Sequence, residues 1–588
     1  MQYKPKPREV IPCKSTTSTV PIMSSVPTPT HALNAILEKA AEVPVLGTSS
    51  LLVAIPAYFV LFVSLAVLVN ALQQLLARPD PRYPPVVFSW FPYIGSAVSF
   101  GANPIKFMQD AQKKYGDIYT YKLLGRRVTV CLGPDGNNFV FNGKANTTSA
   151  AEAYKGMTTP VFGKEVVYDA PHSVFMEQKK FIKLGLSVDN FRKHVPLLVE
   201  EADAYFNEHF ARPSGKIDIH KAMSELIINT ASRCLMGDEI RATLATAGSE
   251  IARLYADLDH GFQPINFLFP DLPLPSYRRR DIANARMTEI YSKIIRKRRA
   301  SGDTVSLSLY IQIWLVYPLI QKTLNLWYVT PSVLFFQSRA DLVQALIEQS
   351  YKDGTPLPDH HIAHMMIAVL FGGQHTSATS STWAILEMAR NPTLVKALRE
   401  EQIKELGSLS EPFDYDGLRN LPLLEAVVRE TLRLHPPIFQ MMRKIMADVP
   451  FDKTGHVVPK GDYVAAAPGV TQLDPTYFND PMAFNPWRWI NHEDGIHRLE
   501  VGADANEDFG FGVVGVSGRS PYLPFGAGRH RCIGEAFGHV QLKTLLGTFV
   551  RKFDFELDPK RGFPNSDYTS MVVMPEKPAT ILYTWRKN

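Results

Sequence analysis

Three kinds of apolar pattern follow one another along the chain, and each predicts a different element. From Val43 to Ala77 no residue is charged, and the densest part, Leu51 to Leu72, is long enough to cross a bilayer as one helix. It is longer than the apolar stretch of about 7 to 15 residues in a signal peptide, and no A-x-A cleavage site follows it. Glu38, Lys39 and Glu42 precede the run while Arg78 and Arg82 follow it, so the positive-inside rule places everything C-terminal to it in the cytosol.

Beyond the anchor the pattern becomes mainly helical. Period-two alternation in RRVTVCLG (Arg126–Gly133) and the short apolar run MVVMP (Met571–Pro575) predict strands near the two ends. The longest helical pattern runs from Asp359 to about Arg390; Pro358 and Asp359 suit its entry, and Asn391 with Pro392 its exit. At about 1.5 Å per residue it would extend roughly 48 Å. Its middle, GGQHTSATSST (Gly372–Thr382), combines glycines with hydroxyl side chains that compete for backbone hydrogen bonds, which predicts a local kink or opening. The expected class is mainly α with small β-sheets (α+β), preceded by one transmembrane helix.

The third pattern is Val305–Gln337, an apolar stretch with one charge, Lys322, and a break at Pro318. Cytosolic sequence on both sides argues against a second membrane span. Val-Ser at its start is encodable by GTAAGT, and Phe-Phe-Gln at its end by a pyrimidine run closing in CAG, so the stretch reads as a retained in-frame intron. The expected organisation is therefore an N-terminal lumenal or disordered segment (1–50), the anchor (51–72), a proline-rich hinge RPDPRYPP (78–85) that has no helical continuation, and one catalytic domain (86–588) interrupted at 305–337.

Composition adds exclusions. The chain of 588 residues is 45% hydrophobic and 20% charged with a formal charge of +6, too mild a balance to imply nucleic-acid binding. Its four cysteines form no CxxC and no close pairs, which argues against zinc ribbons or a disulfide framework and favours a reducing compartment. Cys131 and Cys234 read as small buried hydrophobes. GFGVVG (Gly510–Gly515) satisfies the spacing of a dinucleotide loop but lacks the strand-turn-helix context such a loop requires.

Three constellations carry chemistry. His375 beside Thr376 sets a titratable group next to a hydroxyl in apolar surroundings, a pair suited to relaying protons. Glu430 and Arg433 in ETLRLHPP share a helix face at i and i+3, and Arg488 in FNPWRW is a candidate third member of a buried, multiply hydrogen-bonded cluster, with a solvated surface pair as the alternative. Finally, LPFGAGRHRCIGE (Leu523–Glu535) surrounds Cys532 with glycines and cations. Cations, backbone N–H groups and a following helix N-terminus all favour the thiolate that a metal requires.

Phe525, Gly528, His530, Cys532 and Gly534 fit F-x-x-G-x-[RH]-x-C-x-G, which resembles the haem-binding loop of the cytochromes P-450. Glu430, Arg433 and Arg488 resemble that superfamily's ExxR and PxRx cluster, and Gly372–Ser377 its oxygen-activating helix segment. The stretch from Tyr154 to Leu186, GFQPINFLFPDLPLP and the histidines at 375 and 530 are similar to the sterol 14α-demethylases, and EDFGFGVVGVSGRSPYLPFG to their fungal members. The resemblance implies the cytochrome P-450 fold and haem b, with Cys532 as axial thiolate. It implies Tyr154, Tyr168, Lys179, Arg443 and His530 at the propionates, His375 and Thr376 as proton donors during O2 activation, and Phe162, Tyr168 and Met571 lining a sterol pocket. Each of those last three also fits ordinary core packing. The implied reaction is oxidative removal of the sterol 14α-methyl group in three steps with release of formate, in a single-pass protein of the endoplasmic reticulum membrane. Electrons would come from NADPH through a separate cytochrome P-450 reductase, with cytochrome b5 as a second possible donor. Arg529, Arg531 and Lys543 are the expected docking cations. A membrane-bound P-450 acting on another lipid or a xenobiotic, and a non-catalytic haem protein, are the alternatives.

Overall fold

The computed structural model describes residues 51–246, 248–301, 341–491, 507–508, 511 and 513–586. The expected N-terminal segment 1–50 and the suspected intron 305–337 lie outside the described residues. The apolar run forms helix Leu51–Leu76, four residues longer than the expected anchor because Gln73 and Gln74 continue it with no helix breaker. Within it Ile55–Leu76 is long and apolar enough to cross a membrane, with mean hydropathy 2.2. The proline-rich segment that follows is irregular, and it docks: Arg82 O accepts from Val457 N at 2.7 Å and Pro85 O from Thr120 N at 2.8 Å.

The helix from Asp359 to Ala389 lies at the centre of the residue 69–588 unit, against helices Ile219–Ala231, Pro275–Ser301, Pro422–Leu434 and Glu535–Lys552. Every residue from Ser377 to Ala389 is buried, as befits a helix covered on all sides. The opening expected at Gly372–Thr382 does not occur. The hydroxyls of Thr376, Ser380, Ser381 and Thr382 donate to the carbonyls four residues earlier, at 2.9, 2.8, 2.9 and 2.6 Å, and so remain inside the helical ladder. Asn391, read as an exit signal, caps the next helix, Pro392–Leu406, by accepting from Leu394 N at 3.1 Å.

Strands are few. A five-stranded sheet runs in the order Ile118–Leu123, Arg126–Cys131, Tyr463–Ala466, Met441–Ile445, Thr148–Ser149; only the Arg126–Cys131 and Tyr463–Ala466 pair is parallel. Phe553–Leu557, Thr580–Trp585 and Ser214–Asp218 form a three-stranded antiparallel sheet. Of the predicted C-terminal strand only Met574–Pro575 is paired, with Ser566–Asp567. The main core joins the central helices to the three-stranded sheet through Phe206, Phe210, Phe549 and Phe553, with the Phe549 and Phe553 rings 4.9 Å apart. Truncating any of these rings to alanine is expected to cost about 3–5 kcal/mol.

Candidate active site

The cysteine loop is shaped by glycines. Gly526 and Gly528 hold φ of +69° and +61°, and a Cβ on Gly528 would come within 2.7 Å of the Phe141 carbonyl oxygen, so only glycine fits there. Gly528–His530 form one 3-10 turn, Cys532 N donates to Phe525 O at 2.9 Å, and Gly534 precedes helix Glu535–Lys552. Cys532 keeps accessible surface although protein surrounds its thiol. Burial raises its pKa, against the opposing pull of the Gly534 N–H, Lys179 and Arg531. The expectation that its neighbours favour the thiolate holds for the Gly534 N–H, Lys179 and Arg531. The neighbours act in that direction, but desolvation outweighs them, so a metal must displace the proton.

Helix Pro422–Leu434 carries the acid–base pair at its buried end. Arg433 grips Glu430 with two N–H···O bonds of 2.9 Å, and the same carboxylate accepts from Arg488 Nε at 3.1 Å, Asn485 N at 3.0 Å and Trp489 Nε1 at 2.9 Å. The remaining Arg433 donors reach the carbonyls of Gln472, Pro481 and Ala483 at 2.7–3.1 Å. Gln472 ties this knot to the cysteine loop. Its amide donates to the carbonyls of Leu432 and Arg433, and its oxygen accepts from Leu523 N at 3.1 Å. The buried-cluster reading of Glu430, Arg433 and Arg488 therefore holds over the surface-pair alternative.

A second polar group lies on the thiol's side of the loop. Tyr154 stacks on Tyr168 at 5.6 Å, and Tyr168 lies 5.8 Å from the His530 ring. Tyr154 OH accepts from Met442 N at 2.8 Å, and burial pushes its pKa up to about 12. Arg443 is 4% exposed, its one described hydrogen bond goes to Met442 O, and burial lowers its pKa. His530 Nδ1 is buried without a hydrogen-bond partner, and burial among Arg443, Lys179 and Arg529 drives its pKa well down. Lys179 Nζ donates to the carbonyls of Arg529 and Arg531 at 2.9 Å each and lies 3.6 Å from the centre of the Phe511 ring; burial lowers its pKa to about 7. No carboxylate of the described residues is bonded to Arg443, His530 or Lys179.

The long helix Asp359–Ala389 carries the remaining candidate residues. A Cβ on Gly372 or Gly373 would touch nothing within 4 Å. His375 Nε2 lies 3.3 Å from Asp259 Oδ1; burial lowers its pKa while Asp259 raises it. Phe371 packs edge-on to His375 at 5.3 Å, and Phe162 meets Phe371 and Phe262 at 5.8 and 5.9 Å. Met571 is half-buried in the bend before Met574–Pro575, a strand that packs on the long helix.

Haem fits these residues. A buried cation, an unpartnered imidazole and two phenols, with no counter-anion among the described residues, suit carboxylates such as propionates, and Gly372 and Gly373 leave open space along the long helix. Sequence reading missed Asp259, Gln472, Trp489, Phe262 and Phe371. Asp259 stands just before the GFQPINFLFP stretch and was the one open to detection; the others gain meaning only through folding. Two of the three expected docking cations, Arg531 and Lys543, are also corrected, while Arg529 is partly exposed. Arg531 is held by Glu535 at 2.9 and 2.6 Å and by Gly526 O, and Lys543, 7% exposed, is paired with Glu425 at 3.3 Å. Within the GFGVVG stretch Val513–Val514 pairs with Glu507–Asp508, and among the described residues no α-helix directly follows it.

The family model described as Cytochrome P450 matches residues 84–583. The chain is 56% identical over 531 residues to a lanosterol 14-alpha demethylase of Cunninghamella elegans, covering 90% of this chain and 96% of that one. It is 44% identical to a lanosterol 14-alpha demethylase of Mycosarcoma maydis, covering 93% and 96%, and 42% identical to an eburicol 14-alpha-demethylase of Uncinula necator, covering 89% and 94%. Among solved structures, a retinoic acid-bound cyanobacterial CYP120A1 matches with a TM-score of 0.68 at 19% identity, over 86% of this chain and 100% of that one, a likeness of fold.

Proposed function

Because the chain belongs to the cytochrome P450 family, and within it to the sterol 14α-demethylases, we propose that it removes the 14α-methyl group of a sterol precursor. Three successive monooxygenations carry the carbon through alcohol and aldehyde to formate and leave a 14,15 double bond. The observation that carries this reading is the anion-less cluster of Arg443, His530, Tyr154 and Tyr168 beside the enclosed Cys532 thiol, in a chain similar along nearly its whole length to enzymes named for this reaction.

Thiolate-ligated haem, when bound, supplies reductive activation of O2 with two electrons per turn. The protein's own part is positional. Cys532 is the ligand, and the Gly534 N–H supports its negative charge. Arg443, His530, Tyr154, Tyr168 and Lys179 hold the propionates. Glu430, Arg433 and Arg488 keep the loop in place through Gln472. Asp259 faces His375 Nε2 and orients the ring, which passes inward the protons it takes up on that side, and Thr376 holds a proton on a hydroxyl now donated to Gly372 O at 2.9 Å. Phe162 and Phe371, with Tyr168, exclude water from the apolar side where a sterol lies, and Met571 closes the C-terminal edge of that pocket.

Electrons come from a separate NADPH-cytochrome P-450 reductase, with cytochrome b5 as a second donor. With Arg531 and Lys543 engaged internally, docking relies on other cations of that face. The anchor holds the protein in the endoplasmic reticulum membrane with the catalytic domain in the cytosol. The reading applies to the chain without Val305–Gln337, and a mature transcript lacking that stretch is expected. The test is reconstitution with reductase, NADPH and a 14α-methyl sterol. A demethylated Δ14 sterol and formate are expected; a hydroxylated product at another carbon, or none, would overturn the assignment.

A further inference from the structure

His360, His361 and His364 occupy the first turns of helix Asp359–Ala389, and all three meet the loop that joins helix Ala150–Phe162 to helix His172–Gly185. Gly163 is pressed against the His364 ring so closely that a Cβ would come within 2.3 Å of it, and His364 Nδ1 lies 3.0 Å from Lys164 O. The Nε2 atoms of His360 and His361 lie 3.0 and 3.1 Å from one and the same atom, Glu165 Oε2. Neighbours in sequence diverge by about 100° around a helix, so two imidazoles meeting at one carboxylate oxygen is not a by-product of the helix. The loop also presents the carboxylate in a set conformation. Glu165 has φ of +64°, rare for a residue other than glycine, its N–H donates to Asp169 at 2.8 Å, and its carbonyl accepts from Gln178 at 2.8 Å.

We propose that Glu165, His360 and His361 form a binding site for a divalent transition-metal cation of the zinc class, with water in the fourth position. Ligand atoms about 2.0–2.2 Å from a tetrahedral zinc lie roughly 3.3 Å apart, and the two distances to Glu165 Oε2 fall within a few tenths of an ångström of that. Two imidazole nitrogens and one carboxylate oxygen select zinc-like ions over magnesium or calcium. An outer partner is also in place. Tyr351 OH lies 2.9 Å from His361 Nδ1 and accepts from Gln178 Nε2 at 3.1 Å. Its two lone pairs can accommodate both N–H groups, and in the His361 tautomer protonated at Nδ1 the Nε2 lone pair points toward Glu165. In that tautomer a nitrogen lone pair faces a carboxylate oxygen, an arrangement a cation between them stabilises. Glu165 and His360 are open to solvent, with side chains 63% and 49% exposed, so an ion has access. None of the three belongs to the haem site. An ion there would fasten the loop that carries Tyr168 to the helix that carries His375.

The experiment titrates untagged, full-length, haem-loaded protein, stripped of loosely bound metal by chelation, with Zn2+ in a calorimeter. One zinc per chain is expected. Glu165→Gln and His361→Gln should weaken it by more than the roughly 10- to 100-fold that loss of an outer partner costs, and Tyr351→Phe by about that amount. An unchanged carbonyl difference spectrum verifies that each variant remains folded with its haem. Wild-type protein that takes up no zinc below millimolar concentration, or a Glu165→Gln, His361→Gln double variant that binds as wild type does, would overturn the proposal.

Discussion

Two buried polar clusters flank the same cysteine loop, and they differ in whether the polypeptide completes them. Around Glu430 five donors from Arg433, Arg488, Asn485 and Trp489 converge on one carboxylate, and the leftover guanidinium N–H groups find carbonyls. Around Arg443 there is a cation bonded to one carbonyl, an imidazole nitrogen bonded to nothing and two stacked phenols. A completed cluster fixes backbone; an incomplete one that holds a cation and hydrogen-bonding groups without an anion is a place for something of the opposite sign. The first is scaffold and the second is the cradle of a ligand, although both look like charged residues in apolar surroundings.

The largest expected effect breaks the completed cluster. Glu430→Gln or Arg433→Met leaves a buried charge without its partner, which costs about 3–5 kcal/mol. Loss of soluble, haem-loaded protein in expression trials, with protein recovered in aggregates, is the expected outcome. Arg443→Met should sharpen the contrast by moving in the opposite direction. It removes an unpaired buried cation, so the haem-free protein should melt no lower than wild type, while haem retention in a competition with apomyoglobin weakens. If both arginine variants lowered the apoprotein melting temperature equally, the distinction between scaffold and cradle would fail.

A smaller effect concerns proton delivery. Asp259→Asn leaves the fold and the carbonyl difference spectrum intact but removes the carboxylate facing His375. Turnover should fall by less than the roughly 100-fold or more expected for His375→Ala, with an altered pH profile and unchanged sterol-binding spectra. The smallest effect is the pH response of the scaffold. His435, at the end of the ExxR helix, stacks on Trp383 at 4.1 Å with Nε2 2.8 Å from Glu387, and burial lowers its pKa. The folded state therefore disfavours the proton that the unfolded chain takes up near its ordinary pKa of about 6.5. Stability attributable to this group is full above that pH and declines as the pH falls below it. His435→Gln should flatten that part of a melting-temperature profile.

Much of the site was legible because its signals are local. The glycine spacing around Cys532, the i and i+3 pair in ETLRLHPP and the ends of the Asp359–Ala389 helix each lie within one element. What was not legible depends on distant partners. Whether Arg531 and Lys543 face solvent was decided by Glu535 and Glu425, and the proton on Cys532 by burial that no neighbour in sequence reveals. The hydroxyls of Gly372–Thr382 read as helix breakers because propensity does not say which carbonyl a side chain will reach. His375 stood out as titratable, but its partner comes from the Gly248–His260 helix.

The most direct measurement counts formate against NADPH in a reductase-supported reaction of the haem-loaded protein with a sterol labelled in its 14α-methyl group. One labelled formate for every three NADPH consumed is expected, with the Cys532→Ser variant yielding none; NADPH consumption with the label retained in the sterol would contradict a demethylase.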